Sequence, residues 1–292
     1  MAQLCSKTLI LCGGLQSGGT TLVSYCFLQR ADMDGVLDAD NDLLPALDAR
    51  LARPFAWYKT TISCFRLGEI AKFYRDAGWN VRTLLVLRDL RAVWASLRTK
   101  PYGRNGITAE DPPLRLRVRR FVEDWRAAAQ DGTVLLRYED FVKSPELALQ
   151  QACRLLGIPW DGSMLTWPKP PIRTVDHDNG NRSFWKSRRG NLIETIGQYR
   201  ERSSIDRLLT ADLHWLESEF RDFNAANGYA LQLPTVTESA EAKHAVPTDS
   251  PSFQVTRRYE WETKRKPIRW FLSQIGMLNT KLIDRRSWKR AA

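Results

Sequence analysis

Four short apolar runs, TLILC (Thr8 to Cys12), FAWY (Phe55 to Tyr58), TLLVL (Thr83 to Leu87) and TVLL (Thr133 to Leu136), are separated by stretches whose apolar positions recur at helical spacing. Branched, uninterrupted runs fit strands covered on both faces. Their alternation with helical segments predicts an α/β chain, a central parallel sheet with helices on both sides in three α/β/α layers. Two helices carry their own punctuation. Asp111 can cap one that opens with Pro112, and Ser144 can cap another that opens with Pro145 and stops at Gly157. After Tyr229 the chain turns to LPTVTESAEAKHAVPTDSPS, poor in large apolar residues, which predicts a linker. The expected organisation is a domain over residues 1–230, a linker over 231–255 and a basic, Trp-containing extension over 256–292.

Composition narrows the classes. At 292 residues and 43% hydrophobic content the chain can bury a large core, so disorder throughout is excluded. No apolar run approaches the roughly 20 residues of a membrane span, and the N-terminal residues lack the pattern of a secretory leader. Cys5, Cys12, Cys26, Cys64 and Cys153 are odd in number and have no partners at metal-ligand spacing, which predicts reduced thiols and no metal site. A formal charge of +11 favours anionic partners without choosing among nucleotide, nucleic acid, acidic glycan and membrane.

The first apolar run leads into Gly13-Gly14-Leu15-Gln16-Ser17-Gly18-Gly19-Thr20-Thr21, with a helix expected from about Thr20. Consecutive backbone N–H groups and a helix N-terminus in this position can cradle a phosphate, so the fold is expected to be P-loop-like. Gly19 stands where a nucleotide triphosphatase has its lysine, which argues against ATPase or kinase chemistry. The third run ends in Arg88-Asp89-Leu90-Arg91, with Ser96 eight residues beyond Arg88. An arginine at the C-terminal end of a parallel strand, followed by a helical hydroxyl, can bind a second phosphate, although pairing of Arg88 with Asp89 would serve the same residues.

Together these segments resemble the sulfotransferase superfamily. The loop is similar to the family's [KR]-S-G-T-T motif, with one added glycine and Gln16 in place of the usual cation. Arg88 to Ser96 resembles its R-D-P-R-x-x-x-x-S motif, with Leu90 replacing proline. Leu135 to Trp160 is similar to the R-Y-E-D-L and L-x-x-L-G-[LI]-P stretch of bacterial and carbohydrate sulfotransferases. There, structural pairing of Arg137 and Glu139 is the favoured role. Asp176 to Arg189 resembles the family's nucleotide-closing loop.

The resemblance implies that 3′-phosphoadenosine 5′-phosphosulfate (PAPS) is bound, with 3′-phosphoadenosine 5′-phosphate (PAP) as product and no metal required. Gln16, Ser17, Gly18, Gly19, Thr20 and Thr21 would hold the 5′ end. Arg88 and Ser96 would hold the 3′-phosphate, and Arg182, Lys186, Arg188 and Arg189 either embrace it or form a solvated basic loop. Lys59, at the end of the second run, matches the family's strand-end lysine, and with no cation at Gln16 it is the main candidate to stabilise the leaving phosphate. Thr61 stands where cytosolic relatives have a catalytic histidine.

For the general base, Asp42 and then Asp40 match the acids of the carbohydrate-type relatives, with capping of the next helix as the alternative role and His177 as the remaining histidine near a motif. The expected protein is a cytoplasmic sulfotransferase acting on a hydroxyl or amine of a small-molecule or glycan acceptor, with no nucleic-acid partner. A nucleotide-binding pseudoenzyme, a P-loop nucleotide kinase and a nonenzymatic basic binding protein are the alternatives. The extension from Thr256 to Arg290 mixes cations with Trp270, Ile275, Leu278 and Leu282 along one helical side. It can dock on the core, on a second subunit, or at the inner membrane surface.

Overall fold

A computed structural model describes residues 7–37, 47, 53–62, 65–98, 112–167, 174–176, 190–191, 208–231, 267–268, 270–272 and 274–275. Within them the chain runs β1 (Thr8–Gly13), α1 (Thr20–Phe27), β2 (Met33–Leu37), β3 (Phe55–Lys59), α2 (Leu67–Asp76), β4 (Asn80–Leu87) and α3 (Leu90–Arg98). It continues through α4 (Pro112–Asp131), β5 (Val134–Arg137), α5 (Tyr138–Lys143), α6 (Pro145–Leu156), β6 (Thr166–Trp167), β7 (Thr174–Asp176), β8 (Gly190–Asn191), α7 (Thr210–Glu219) and α8 (Arg221–Ala226).

Six strands form one sheet in the order β5-β4-β1-β3-β2-β7, and every pairing in it is parallel. A separate antiparallel pair joins β6 to β8. The apolar runs are continuous because the sheet is covered on both faces, and the period-two geometry of a strand divides their side chains between two cores. Leu9, Leu11, Ala56, Tyr58, Leu85 and Leu87 face one core with residues of α2, α3, α4, α7 and α8. Ile10, Cys12, Trp57, Leu84, Val86 and Leu136 face the other with residues of α1, α5 and α6. Fully burying one such Leu or Ile is worth about 1.5–3 kcal/mol, so the central strands hold both helical layers to the sheet. The α/β architecture expected from the sequence is the one observed.

Local signals explain most boundaries. Pro112 opens α4; Asp111, its expected cap, lies outside the described residues. Pro145 opens α6, and Gly157 ends it in the left-handed region at φ 65. Ser144 differs from expectation: it joins α5 directly to α6 at φ −144 and ψ 72, and its side chain caps nothing. Its backbone does the work instead, donating to the Asp140 carbonyl at 2.9 Å and accepting from the Ala148 N–H at 3.0 Å. The expected linker falls outside the described residues.

From β1 the chain moves to β2 and β3 on one side of the sheet and then crosses to β4 and β5 on the other. Such a reversal opens a crevice at the C-terminal ends of the strands flanking β1, where open α/β sheets bind ligands. Gly13, Lys59 and Leu87 end the strands at that edge.

Candidate active site

The loop between β1 and α1 is built by glycines at specific points. The Gly18 N–H donates to the Leu15 carbonyl at 2.9 Å, and Ser17 enters the left-handed region at φ 64. Gly19 has φ 95, and a Cβ there would lie 2.3 Å from Cδ2 of Tyr138. Glycine at position 19 is thus demanded twice, by its backbone conformation and by an aromatic ring packed against the loop. Gly19 also caps α1 without any side-chain acceptor, so the first N–H groups of that helix keep their capacity for an anion. The Ser17 hydroxyl is buried with no hydrogen-bond partner, an unmet polar group that a phosphate or sulfate oxygen would satisfy.

Arg88, just beyond β4, brings the second motif to this loop. Its Nη1 donates to the Ser17 carbonyl at 2.7 Å, and its guanidinium lies 4.5 Å from the centre of the Tyr138 ring. Asp89 does not pair with it. That carboxylate is instead held by Arg91, whose guanidinium also reaches Glu217 at 2.7 Å and the Ala230 carbonyl at 2.6 Å. Burial by itself would lower the Arg91 pKa, and the bonds to Asp89 and Glu217 more than reverse this, so it is raised. Ser96 sits half-buried on α3, the helix that follows Arg88.

Lys59 ends β3 beside β1 and is almost fully buried. The segment after it is laced to the loop: the Thr60 N–H donates to the Cys12 carbonyl at 2.9 Å and the Ile62 N–H to the Gly14 carbonyl at 3.0 Å. Burial pushes the Cys12 thiol up to about 12 even though the Lys59 ammonium opposes the shift, which marks how close that charge lies to the start of the loop. Cys26 and Cys153 are likewise buried thiols raised by desolvation, poor nucleophiles in this fold. Gln16 is half-buried, and its side-chain oxygen accepts from Arg117 Nη1 of α4 at 3.0 Å.

The structure therefore brings Gln16, Ser17, Gly18, Gly19, Thr20, Arg88 and Lys59 to one sheet edge, with Thr21 on the first turn of α1. The other expected site residues, Asp40, Asp42, His177, Arg182, Lys186, Arg188 and Arg189, lie outside the described residues. Leu37 pairs with Asp176 of β7, the residue from which the basic loop departs.

Arg137 and Glu139 have structural partners. Glu139 accepts from the Asp89 N–H at 3.0 Å and from the Tyr229 hydroxyl at 2.9 Å, and Arg137 packs on the Tyr229 ring at 5.2 Å. Between them sits Tyr138, which sequence reasoning passed over: its ring is the contact shared by Gly19 and Arg88, and burial raises its pKa although Arg88 opposes this. In the extension, Trp270 packs edge-on against Phe65 at 5.8 Å and Phe73 at 5.3 Å, so this part of it docks on the core.

The Sulfotransferase family profile matches residues 40–162, a stretch that contains Lys59, Arg88, Ser96 and Tyr138 and begins after the phosphate loop. No curated protein matches the sequence. Among solved structures, the sulfotransferase domain from the curacin biosynthetic pathway is 15% identical, with 77% of this chain and 99% of that one covered and a TM-score of 0.50. The sulfotransferase domain of the Synechococcus PCC 7002 olefin synthase is 13% identical over 74% and 95% of the two chains, with a TM-score of 0.49. A mouse sulfotransferase complexed with PAP is 12% identical over 76% and 89%, with a TM-score of 0.43. The segment that matches the profile thus lies on a fold shared with a solved sulfotransferase domain, and both comparisons agree with the resemblance read from the sequence.

Proposed function

We propose that this protein transfers the sulfuryl group of PAPS to a hydroxyl or amine of an acceptor, with carbohydrate, lipid-linked glycan and secondary metabolite as the acceptor classes. The observation that carries this reading is the bond from Arg88 to the Ser17 carbonyl, which joins the two nucleotide motifs into one site. A donor bearing phosphate at both ends of a nucleoside fits a site with one anion cradle at the loop and one arginine beside it. The unmet Ser17 hydroxyl and the uncapped start of α1 supply donors for the 5′ end. Arg88 would read the 3′-phosphate with Ser96.

Transfer breaks the bond between the sulfuryl sulfur and the bridging phosphate oxygen, whose electron pair stays on the phosphate. A new bond forms from sulfur to the acceptor oxygen, whose proton passes to a base. As in phosphoryl transfer, positioning and charge neutralisation dominate. Lys59, buried at the strand end next to the loop, is the residue we assign to the developing negative charge. Asp42, then Asp40 and His177, are the bases we propose for the acceptor proton.

The test is incubation with sulfur-labelled PAPS and panels of hydroxyl- and amine-bearing acceptors. Release of PAP matched by label on an acceptor is the expected result. Tight PAP binding with no transfer to any class would favour the pseudoenzyme alternative, and preference for ATP over PAP would favour a nucleotide kinase.

A further inference from the structure

Where β5 ends and α5 begins, three successive side chains reach three different partners. Arg137 packs on the Tyr229 ring, Tyr138 on Gly19 and Arg88, and Glu139 accepts two hydrogen bonds. The Asp89 N–H meets its Oε1 at 3.0 Å, and the Tyr229 hydroxyl meets its Oε2 at 2.9 Å. One carboxylate thus bridges the turn between β4 and α3 to a residue just past α8.

The bridge falls on the peptide that aims Arg88. The Asp89 N–H belongs to the planar bond joining Arg88 to Asp89, so holding it fixes the plane from which the Arg88 side chain departs. The other groups of Asp89 serve α3: its carbonyl accepts from the Val93 N–H at 3.0 Å, and its carboxylate accepts from the Arg91 N–H at 2.9 Å. Glu139 is the side chain that ties this peptide to the neighbouring strand.

Tyr229 is itself fixed. Its ring is 6% exposed and lies 5.9 Å from the Phe223 ring, its N–H donates to the Asn224 carbonyl at 2.8 Å, and the next residue, Ala230, accepts from Arg91 at 2.6 Å. Burial pushes its hydroxyl far above the ordinary tyrosine range, and the Glu139 charge adds to the shift, so it stays protonated and remains a donor.

We propose that Glu139 and Tyr229 are positioning residues for donor recognition. The Tyr229 hydroxyl orients the Glu139 carboxylate, and the carboxylate fixes the Arg88–Asp89 peptide. Arg88 then presents its guanidinium between the Ser17 carbonyl and the Tyr138 ring. The proposal rests on the donor assignment above, in which Arg88 reads the 3′-phosphate. It makes that reading depend on a hydroxyl at the C-terminal end of the core.

Calorimetric binding of three nucleotides to the full chain tests this without knowing the acceptor: PAP, adenosine 3′-phosphate, which lacks the 5′-phosphate, and AMP, which lacks the 3′-phosphate. Tyr229→Phe keeps the ring and removes the hydroxyl alone. It should weaken PAP and adenosine 3′-phosphate by about three- to tenfold, the scale of one hydrogen bond, and leave AMP unchanged. Glu139→Ala should weaken the same two ligands by about tenfold or more, and adding Tyr229→Phe to it should cost nothing further, because the hydroxyl acts through the carboxylate. Glu139→Gln keeps an acceptor for the Asp89 N–H and should stay within about twofold of wild type. A loss shared equally by AMP would reduce both residues to supports of the fold. That result, an unchanged PAP affinity in Tyr229→Phe, additive losses in the double variant, or a Glu139→Gln protein as weak as Glu139→Ala would overturn the positioning role. Tyr229→Phe decides the question even where Glu139→Ala fails to fold. A wild-type protein that fails to prefer PAP over AMP would overturn the donor assignment instead.

Discussion

Arg88 and Arg91 stand three residues apart in one motif and end in opposite environments. Arg91 lies in a seam between the start of α3 and α7, 4% exposed, with Asp89, the fully buried Glu217 and the Ala230 carbonyl around it. Arg88 lies half-buried at the phosphate loop, and its partners among the described residues are a carbonyl oxygen and an aromatic ring, both neutral. A cation enclosed by carboxylates is committed to the fold. A cation held in place by neutral groups keeps its charge for a ligand.

The largest effect should come from breaking the seam. Arg91→Ala would leave two buried carboxylates without their partner, and such uncompensated charge costs about 3–5 kcal/mol. Chemical denaturation should show that loss, while the fraction still folded keeps its PAP affinity. Normal stability in Arg91→Ala would erase the distinction between the two arginines.

At the loop edge the expected effect is on turnover. Lys59→Ala and Asp42→Asn should each slow transfer by about a hundredfold or more with the fold intact, the scale of lost charge stabilisation or a lost general base. Asp40→Asn should do less. Full activity in Asp42→Asn would move the base to Asp40 or His177.

Much of this division was invisible in the sequence, for physical reasons. β1, β3, β4 and β5 are legible because each carries an uninterrupted apolar run, buried on both faces in β1 and β3 and on one face in β5, which lies at the sheet edge and exposes Leu135. β2 is not, because Asp34 and Gly35 interrupt it; Asp34 is tolerated there by accepting from the Arg53 N–H at 2.9 Å. The glycine density of the loop announces a phosphate cradle. The reason for Gly19 does not show, since the ring that would strike a Cβ there belongs to Tyr138, far along the chain. Arg115, Arg117, Arg119 and Arg120 form one cluster of cations in the sequence, and no local signal separates the residue that reaches Gln16 from those that reach α7.

A smaller, pH-dependent effect should come from Asp124, which links α4 to α2. Burial pushes its carboxyl up to about 7, against the opposing bond from the Leu67 N–H. Because the folded-state value lies above the unfolded one near 3.8, the folded protein binds this proton more tightly. The contribution to stability is fully present below about pH 4 and is lost as pH rises towards 7. Asp124→Asn should therefore gain in thermal midpoint relative to wild type as pH is raised from 5 to 8; a constant difference would remove the protonation argument.

The smallest effect should be in the extension. Trp270→Ala removes two aromatic contacts and should cost about 1–3 kcal/mol, leaving PAP affinity unchanged. Ile268, Phe271 and Leu272 remain 58%, 63% and 49% exposed beside this anchor, and no described helix is long and apolar enough to cross a membrane. We propose that these side chains, in a basic segment, meet an anionic membrane surface that carries the acceptor. Deleting the residues after Leu233 should abolish salt-sensitive vesicle binding. An intact protein that ignores anionic vesicles at low salt would leave the extension a purely structural strap.

The most direct test of the central claim is the affinity of wild type and Arg88→Ala for PAP and AMP, measured by calorimetry at one salt concentration. Wild type should bind PAP well over tenfold more tightly than AMP, because Arg88 reads the second phosphate, and Arg88→Ala should erase most of that ratio while binding AMP as before. Equal affinity of the wild type for the two nucleotides, or a ratio untouched by Arg88→Ala, would contradict the account.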